Sequence, residues 1–463
     1  MSLREFVDGD LARFGLLDLR RSIPCLVDGL KPSQRKVLWT MLRMDENREI
    51  KVSQLAGAVA HSQAYHHGEE SLVRTIVRMG QSFCGASNLP LLQPIGQFGT
   101  RHEGGHDAAS ARYIFTALSP TTRLIFPQQD DALLDRRIED GIVVEPEWLC
   151  PIIPMILVNG AEGIGTGWST RIVGRRPTAI IAMVRNLIEG KNCEASPPPP
   201  PYFNEFDGRI EATPHRANRF VTTGRVRLAR GERKNATNLR VDITELPIGV
   251  ATSKYKEKLN RIVAQFHGDF TEHHTEKRVH FRVSLDRRMA SKLANATTSQ
   301  LLDAFKLTSS MAENLVVFDE GGRLREFDTP MQIALEHFMV RRRVYEQRLR
   351  RLASECGEKL RVLENQIRFV DMVSKRKIEV QNVSRHDLEE QLRQFEFFEQ
   401  QNGTFNYLLE MPIARLTVDE CSRLEARRRK RVDELDELSR LDWQTCWWRE
   451  LDELERRLNA QNK

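Results

Sequence analysis

An arginine–tyrosine pair, Arg112-Tyr113, is the best candidate for covalent chemistry in this sequence. The pair ends the segment PIGQFGTRHEGGHDAASARYIF, and loops rich in glycine and histidine often carry functional groups. A phenol is a weak acid, but the Arg112 cation and the pair His66-His67 would favour its ionised form. A phenolate that attacks a phosphodiester forms an aryl ester, whose good leaving group allows a DNA hydroxyl to reverse the reaction. The alternative is a tyrosine that packs beside an arginine in the core or on the surface.

The two histidines precede a predicted helix that begins at Glu69. Backbone N–H groups at a helix N-terminus bind phosphate, so His66 and His67 could hold a phosphate and stabilise a transition state. Helix capping or packing is the alternative. Asp130-Asp131 lacks a third acidic partner, so we interpret this pair as structural or solvated and predict no metal site.

Glycines surround Ile164 in the run GAEGIGTG, residues 160–167. The run has no clear dinucleotide-binding register and the chain has no P-loop motif, so no ATP site is predicted. Glycine lets the backbone approach a ligand closely, and an apolar tip at Ile164 could wedge between base pairs and kink a duplex. A tight turn with a buried isoleucine is the alternative.

Positive charge is concentrated near one predicted helix. Lys31, Arg35 and Lys36, together with Arg20 and Arg21, could contact phosphates, or they could cover a solvated helix face. The whole chain has 70 Lys and Arg against 64 Asp and Glu, a net charge of +6. This mild excess permits nucleic-acid binding without proving it.

Length and composition exclude several classes of protein. The 463 residues are enough for about three domains, and 40% hydrophobic residues exclude global disorder. The longest apolar run, Pro151–Val158, is too short to cross a bilayer. The polar, acidic N-terminus excludes a secretory signal and leaves a weak organellar signal open. Seven scattered cysteines without a CxxC pair indicate a reduced intracellular protein.

The hydrophobic pattern predicts an α+β multidomain chain. In residues 1–155, short helices beginning at Pro32, near a cap at Ser53, and at Glu69 favour a helix-turn-helix or winged-helix unit. In residues 156–330, a proline break at Pro197–Pro201 is followed by short alternating stretches, which indicate a mixed α/β domain.

Residues 331–463 are predicted to be almost entirely helical. A first long helix begins at Met331 and a second at a capping box that starts with Thr417, which together suggest an antiparallel coiled coil. A small head, QQNGTFNYLLEMPIARL, lies between them. Exposed apolar residues in this head would favour a dimer contact, namely Phe405, Tyr407, Leu408, Leu409 and Met411. A solvated helical hairpin without a partner is the alternative.

Long collinear blocks closely resemble the DNA breakage-reunion region of eukaryotic type IIA DNA topoisomerase. They include RSIPCLVDGLKPSQRKVLW, VSQLAGAVAHSQAYHHGEESL, LLQPIGQFGTRHEGGHDAASARYIFT and PIIPMILVNGAEGIGTGWST, and continue to TFNYLLEMPIARLT. Several blocks in the same order are far more specific than a single motif. The resemblance covers essentially the whole chain.

The resemblance implies a role for each matching residue. Tyr113 would be the nucleophile that forms the 5′-phosphotyrosyl bond, Arg112 would position it, and His67 would contact the phosphate. Ile164 would intercalate and bend the cleaved duplex. The remaining DNA-binding residues would be Lys31, Arg35, Lys36, His66, Gln97 and Arg101.

The resemblance also implies an architecture and an activity. Residues 1–155 would form a winged-helix domain, 156–330 a tower domain, and 331–463 a coiled coil with a small helical C-gate head. The enzyme, a homodimer on double-stranded DNA, makes a transient double-strand break, passes a second duplex and religates, at the expense of ATP. Its compartment would be the nucleus, or alternatively the mitochondrion, and no membrane is involved.

The chain departs from the family in three ways. Ala111 stands where proline is common, which predicts a less rigid loop. The TOPRIM acidic cluster and the ATPase domain are not found in this sequence, so Mg²⁺ and ATP sites are expected elsewhere, in the same or a separate chain. As a fragment or a split subunit, the chain alone is expected to bind DNA and dimerise with weak or no cleavage. The alternative is a non-catalytic DNA-binding, dimerising protein.

Overall fold

The computed structural model of the chain describes residues 2–44, 48–191, 197–214, 216–230, 239–265, 268–285, 293, 295–400, 403–412 and 418–461. The chain divides into two compact units. The first contains residues 1–341 and 450–463, and the second contains residues 342–449. In the described part of the chain, no helix is both long and apolar enough to span a bilayer.

Helices joined by tight turns form the first part of the chain. They are α1 Leu3–Phe6, continued by the π-helical segment Val7–Leu11, then α2 Ala12–Ser22, α3 Pro32–Leu42, α4 Val52–Ser62 and α5 Glu69–Gly80. Pro32 begins α3 because its fixed φ suits the first helical position. The predicted helix starts at Pro32 and Glu69 are confirmed. The predicted cap at Ser53 is wrong, because α4 already begins at Val52.

Small antiparallel strand pairs come next. The elements are β1 Ile50–Lys51 paired with β2 Phe115–Thr116, α6 Thr122–Ile125, the hairpin of β3 Arg136–Glu139 and β4 Ile142–Pro146, α7 Met155–Asn159, the hairpin of β5 Ala161–Gly165 and β6 Trp168–Ile172, and α8 Pro177–Ile188. The apolar run that includes Ile152, Ile156 and Leu157 is fully buried. The Ile152 N–H donates to the Ile125 carbonyl of α6 (2.9 Å), and the Leu157 carbonyl accepts from the Arg175 N–H (2.8 Å). Burial of this run stabilises the first part of the chain.

Two antiparallel sheets occupy the middle of the chain. Their elements are β7 Arg209–Thr213, β8 Arg216–Thr223, β9 Arg225–Arg230, β10 Leu239–Glu245, α9 Thr252–Ala264, β11 Asp269–Glu272, β12 Phe281–Ser284, α10 Thr298–Ala304 and β13 Thr308–Ala312. One sheet has the strand order β11-β12-β10-β9 and the other β13-β8-β7. Val241 and Ile243 of β10 pack with Tyr255 and Leu259 of α9 in one core. The predicted mixture of helix and sheet is confirmed, whereas the domain boundaries stay predictions.

A last hairpin precedes the long helices. The elements are β14 Leu315–Phe318, β15 Leu324–Phe327, α11 Pro330–Ser374, α12 Arg385–Gln394, α13 Asn406–Leu409, α14 Val418–Arg440 and α15 Trp443–Gln461. The second long helix is thus interrupted: α14 ends at Arg440, and Asp442 accepts a hydrogen bond from the Thr445 N–H (2.7 Å) at the start of α15. The predicted capping residue Thr417 lies outside the described residues.

Within the second unit, α11 and α14 run antiparallel. The Cys356 thiol lies 3.6 Å from the Arg431 carbonyl oxygen, and Glu364 pairs with Arg428 at 3.3 Å. The residue numbers rise along α11 while those of its contacts fall along α14. The predicted antiparallel direction is therefore confirmed.

The head between these helices has its own core. Phe405 and Leu408 are almost completely buried, and they pack with Phe369, Leu392 and Phe397. None of the five apolar residues predicted to be exposed is fully exposed. The predicted exposure of Phe405 and Leu408 is therefore wrong, because α11 and α12 already cover them, whereas Tyr407, Leu409 and Met411 are partly exposed and the dimer contact stays a prediction.

Candidate nucleic-acid interface

Tyr113 lies at the surface of a loop and is 68% exposed. The guanidinium carbon of Arg112 lies 5.0 Å from the centre of the Tyr113 ring. The Tyr113 N–H donates to the Ser110 carbonyl (2.9 Å), which turns the chain sharply. Ile114 is buried and anchors the loop, so the phenol remains outside. The alternative of a tyrosine packed in the core is therefore wrong.

The first turn of α4 fixes the backbone of this loop. A helix begins with N–H groups that have no partner within the helix. Here the Val52 N–H donates to the Ile114 carbonyl (3.1 Å), and the Ser53 N–H donates to the Ala111 carbonyl (3.2 Å). These two bonds lie on either side of the arginine–tyrosine pair. They give acceptors to two N–H groups at the start of α4, which has no side-chain cap. They also restrain the loop at Ala111, where no proline ring does so.

The two histidines lie in the turn that joins α4 to α5, residues 63–68. His66 Nε2 lies 2.7 Å from Asp140 Oδ2, which belongs to the turn of the β3–β4 hairpin. His67 is exposed, and its ring meets the Tyr65 ring nearly edge-on, with 5.4 Å between the ring centres. Both imidazoles are thus at the surface on a braced turn, where a phosphate can reach them.

Ile164 projects from the β5–β6 hairpin and is 84% exposed. Its neighbours Gly163 and Gly165 face helix α2, because alternate strand residues point to opposite sides. A Cβ on Gly163 would lie 2.1 Å from the Ser22 carbonyl oxygen, and one on Gly165 would lie 2.9 Å from Leu19 Cδ2. The glycines therefore allow close approach to the protein's own helix, and the alternative of a buried isoleucine is wrong.

Two polar contacts hold this hairpin in place. Asp18 of α2 accepts hydrogen bonds from the Thr166 N–H (2.9 Å) and hydroxyl (3.0 Å), and these bonds lower the pKa of Asp18. Lys31 Nζ donates to the Glu162 carbonyl (2.7 Å). Lys31, one of the predicted DNA contacts, therefore lies beside the Ile164 hairpin.

Arg35, predicted to bind phosphate, is instead an internal residue. It is 3% exposed, and its Nε and Nη2 donate to the Asp28 carboxylate at 2.6 and 3.1 Å. Burial, the largest single influence, acts to lower the pKa of Arg35, but the Asp28 charge and its hydrogen bonds raise the pKa overall. Arg35 thus stays charged and paired, and it does not face a phosphate in this structure.

Lys36 is likewise turned inward, contrary to the prediction. Its Nζ donates to the Gln63 carbonyl (2.7 Å) and to the carboxylates of Glu139 (2.7 Å) and Glu145 (2.9 Å). These groups come from the end of α4 and from both strands of the β3–β4 hairpin. Lys36 therefore joins the histidine turn to that hairpin.

Arg101 is the third predicted DNA contact that is buried. Its guanidinium forms an ion pair with Glu245 at the end of β10. The carbonyls of Arg101 and His102 accept hydrogen bonds from the Thr252 and Ser253 N–H groups, at 3.4 and 3.0 Å. Arg101 therefore fastens the glycine-rich loop to α9 and the larger sheet.

Gln97 begins the same loop and is exposed. Its carbonyl accepts a hydrogen bond from the Ala109 N–H (2.9 Å), which brings the two ends of the loop together. Inside the loop, the Thr100 N–H and hydroxyl donate to Asp107 at 2.7 and 2.6 Å. The Gln97 side-chain oxygen accepts a hydrogen bond from the Gly99 N–H (3.3 Å), and the exposed amide stands on an ordered loop where a ligand can reach it.

The loop also contains the spacing HExxH, at His102-Glu103 and His106, which the sequence-based prediction of no metal site did not take into account. This spacing binds zinc when both histidines lie on one face of a helix. Here the segment is a series of turns, with φ of +63° at Gly104 and +84° at Gly105.

In the described part of the chain, the grouping compact enough to hold a metal is His386, Asp387 and Glu390, exposed on α12 in the other unit. The described residues near Tyr113 do not provide a set of carboxylates for Mg²⁺.

A basic groove of about 820 Å³ runs beside these elements. It is lined by the loop before α3, the end of α5, the β5–β6 hairpin, the glycine-rich loop and the start of α9. Its basic side chains are Lys31, Arg78, Arg101, Arg171 and Lys254, and its carboxylates are Glu103 and Glu162. Arg101 is paired with Glu245, and Arg171 is paired with Glu162 at 2.8 Å. Partial burial and the nearby Arg78 charge lower the pKa of Lys31. An anion bound in the groove would relieve this repulsion between cations.

Comparison with known proteins places this geometry in a family. Residues 21–452 match the A-subunit family of DNA gyrase/topoisomerase IV. The chain belongs to this family. The resemblance to a eukaryotic type II topoisomerase that the sequence motifs indicated is thereby confirmed.

Individual relatives give the same result. The chain is 56% identical over 466 residues to the putative mitochondrial DNA topoisomerase 2 of Caenorhabditis elegans, covering 98% of this chain and 39% of the relative. It is 38% identical over 491 residues to DNA topoisomerase 2-beta of Gallus gallus, covering 97% and 29%. The DNA-binding, cleavage and re-ligation domain of Plasmodium falciparum topoisomerase II superposes with a TM-score of 0.86 at 32% identity, covering 100% of this chain and 65% of that structure. The chain spans between 29% and 39% of the length of these two curated relatives.

Sequence reasoning missed several residues of this topoisomerase-family interface. Arg78 and Lys254 line the groove from α5 and α9, where each is one of several basic residues on its helix and the sequence does not single it out. Asp140, beside His66, lies 74 residues further along the chain. No local motif marks these residues, because only the fold brings them together.

Proposed function

We propose that this chain is the DNA cleavage and religation region of a type II DNA topoisomerase, with Tyr113 as its nucleophile. The Tyr113 oxygen attacks a backbone phosphorus and forms an O–P bond. The bond from phosphorus to the deoxyribose 3′ oxygen breaks, and that oxygen takes up a proton. The reverse attack by the 3′ hydroxyl restores the strand and frees the phenol.

The observation that carries this proposal is the exposed Tyr113 ring beside the Arg112 guanidinium, on a loop bracketed by α4. A positive group held at this place can stabilise both the phenolate and the charge that develops on phosphorus. His67, exposed on its braced turn, is a second candidate to contact the phosphate. A rigid backbone with exposed reactive groups is what a nucleophile needs to meet a bound strand.

We further propose that the basic groove holds the duplex backbone and that Ile164 bends the duplex. Besides Arg101 and Arg171, which are paired with carboxylates, Lys31, Arg78 and Lys254 converge there from separate elements, and phosphate is the ligand that several converging cations favour. Ile164 is apolar, 84% exposed and mounted on a hairpin fixed to α2. An apolar wedge of this kind unstacks a base step and kinks the DNA.

The decisive experiment is covalent trapping. The chain, supplemented with a TOPRIM-containing region and Mg²⁺, is incubated with DNA, denatured and assayed for protein-linked 5′ ends. Tyr113→Phe should abolish the adduct, whereas Tyr202→Phe should form it at the parental level. Tyr202 is a suitable control because it is partly buried against Arg176, with 4.4 Å between guanidinium and ring centre.

Equal adduct formation by Tyr113→Phe and the parent would exclude Tyr113 as nucleophile. A complete lack of adduct in the parent would instead favour a non-catalytic DNA-binding and dimerising protein.

The role of the groove is tested by the salt dependence of DNA binding. Each lost phosphate contact should lower the slope of log K against log salt by about 0.9. We expect this change for Arg78→Ala and for Lys254→Ala. Arg74→Ala is the matched control, because Arg74 lies on the same helix but pairs with Glu70 at 2.5 Å. If Arg74→Ala lowers the slope as much as Arg78→Ala does, the groove is not where the DNA backbone binds.

Other parts of the reaction require groups beyond this chain's described residues. We propose that carboxylates of a TOPRIM segment bind Mg²⁺ and that an ATPase domain of the full-length enzyme uses ATP. We also propose that the chain acts as a homodimer, so that two Tyr113 residues cut opposite strands and a second duplex passes between them. Sedimentation of the chain with and without DNA tests the dimer directly.

The compartment has two candidates. The nucleus is the expectation from the eukaryotic family, and the mitochondrion is favoured by the name of the 56% identical relative. We propose the mitochondrion on the strength of that identity. Fractionation of cells into nuclei and mitochondria, followed by detection of the chain, distinguishes the two.

A further inference from the structure

The β3–β4 hairpin touches the histidine turn at two points. At the first, Asp140 Oδ2 lies 2.7 Å from His66 Nε2. At the second, Lys36 Nζ joins the Gln63 carbonyl to Glu139 and Glu145. The turn is thus held at its first residue and near its middle by the same hairpin.

The backbone on both sides of the first contact is well defined. Asp140 has a φ of +50° and is followed by Gly141 at +76°, so the hairpin turn has the left-handed conformation that suits an aspartate–glycine pair. On the other side, the Tyr65 N–H donates to the Ala60 carbonyl (3.3 Å), and Glu69 begins α5. His66 is therefore the residue through which the hairpin can set the path of the chain into His67.

We infer that Asp140 is a positioning residue: by holding His66, it sets the orientation in which His67 meets the scissile phosphate. This inference rests on the proposed function. An aspartate is an acceptor, so His66 Nε2 must carry the proton that Asp140 accepts. The contact thereby fixes one tautomer and one ring orientation of His66. The Tyr65 ring contacts the His67 ring edge-on, with 5.4 Å between the ring centres, and is a second contact that bears on the position of His67.

The contact between His66 and Asp140 is at the surface. Its loss can therefore change the geometry of the turn without a large change in the free energy of unfolding. The side chains of His66 and Asp140 are 70% and 66% exposed. Exposed pairs contribute little to the free energy of unfolding. We therefore expect Asp140→Ala to fold like the parent apart from the strain that alanine meets at this positive φ. Asp140→Gly removes the same carboxylate without that strain and should lose the positioning in the same way. The buried Lys36 contacts would continue to hold the hairpin.

The test measures the first-order rate of covalent adduct formation separately from DNA affinity. The chain with a TOPRIM-containing region is mixed at saturating concentration with DNA that carries a 3′ sulfur at the scissile phosphate. The thiolate leaves without efficient religation, so the rate reports cleavage. We expect Asp140→Ala to lower this rate about two- to fivefold, the range that an exposed pair can contribute. Its dissociation constant for DNA should change less than twofold.

Three further variants make the test specific. Asp140→Asn keeps an acceptor for His66 and should restore most of the rate. Asp135→Ala removes another exposed aspartate of the same region and should match the parent. In a His67→Ala background, Asp140→Ala should have no further effect, because its action passes through His67.

The outcomes separate this inference from the proposed function. An adduct formed by Tyr113→Phe would overturn both. If Tyr113→Phe is inactive but Asp140→Ala cleaves like Asp135→Ala, the inference about Asp140 alone is wrong. The inference is also wrong if Asp140→Ala weakens DNA binding as much as it slows cleavage, or if its effect persists without His67.

Discussion

Replacing Arg35 by methionine distinguishes an internal ion pair from a phosphate contact. Asp28 is completely buried, and its two oxygens accept four hydrogen bonds: two from Arg35, one from the Leu30 N–H (2.9 Å) and one from the Leu149 N–H (3.0 Å). Arg35→Met would remove the cation and leave this carboxylate charged and buried. Breaking a buried pair on one side costs about 3–5 kcal/mol.

Two measurements on the same variant test this reasoning. Urea denaturation should show the free energy of unfolding reduced by about 3–5 kcal/mol, with part of the loss recovered in the double variant Asp28→Asn with Arg35→Met. The slope of DNA affinity against salt should stay unchanged, because Arg35 contacts no phosphate. Arg78→Ala is the counterpart: it should leave stability within about 0.5 kcal/mol and lower the slope by about 0.9. An Arg35→Met variant with parental stability and a reduced salt slope would refute the reasoning.

Other regions of the chain give further expectations. Ile164→Ala should reduce DNA bending, measured by energy transfer between dyes at the duplex ends, more than it reduces affinity, because the wedge unstacks bases rather than anchoring phosphates; equal losses would contradict a wedge. Gly163→Ala should destabilise the hairpin by about 1–3 kcal/mol in urea denaturation, because its Cβ would meet the Ser22 carbonyl oxygen; parental stability would mean that α2 moves freely. Burial and the neighbouring Arg341 charge lower the pKa of His337 to about 3, so the unfolded chain binds the proton more readily and stability is lost as the pH falls below about 6.5. The loss amounts to about 2 kcal/mol at pH 5, and His337→Leu should lose that much less stability between pH 7 and pH 5; an identical pH dependence would contradict it.

The sequence was most informative where a short motif marks a residue. The motifs around Tyr113 and Ile164 singled out side chains that are exposed, although distant partners hold both segments, namely Val52 and Ser53 for the tyrosine loop and Asp18 for the hairpin. Helix starts at Pro32 and Glu69 were predicted from local signals alone. The compact head between two long periodic helices also predicted the antiparallel direction of α11 and α14.

The errors arose where the outcome depends on distant partners. Lys36 meets Glu139 and Glu145, more than 100 residues away, and Arg101 meets Glu245, 144 residues away. A basic cluster in the sequence therefore seemed free to bind phosphate when carboxylates of the fold already neutralise it. The apolar head residues Phe405 and Leu408 were misassigned for a similar reason, since the helices that cover them come from both sides of the segment.

The bonds from the start of α4 to Ala111 and Ile114 have a consequence for the proposed cutting of two strands. The Tyr113 oxygen cannot advance by loop movement without exposing two amide groups, so its reach is limited to rotation of the tyrosine side chain. In a pair of such chains, the number of base pairs between the two nicks would then be dictated by how the protomers dock. A change at the docking surface should alter that stagger, whereas a change in the tyrosine loop should alter only the rate.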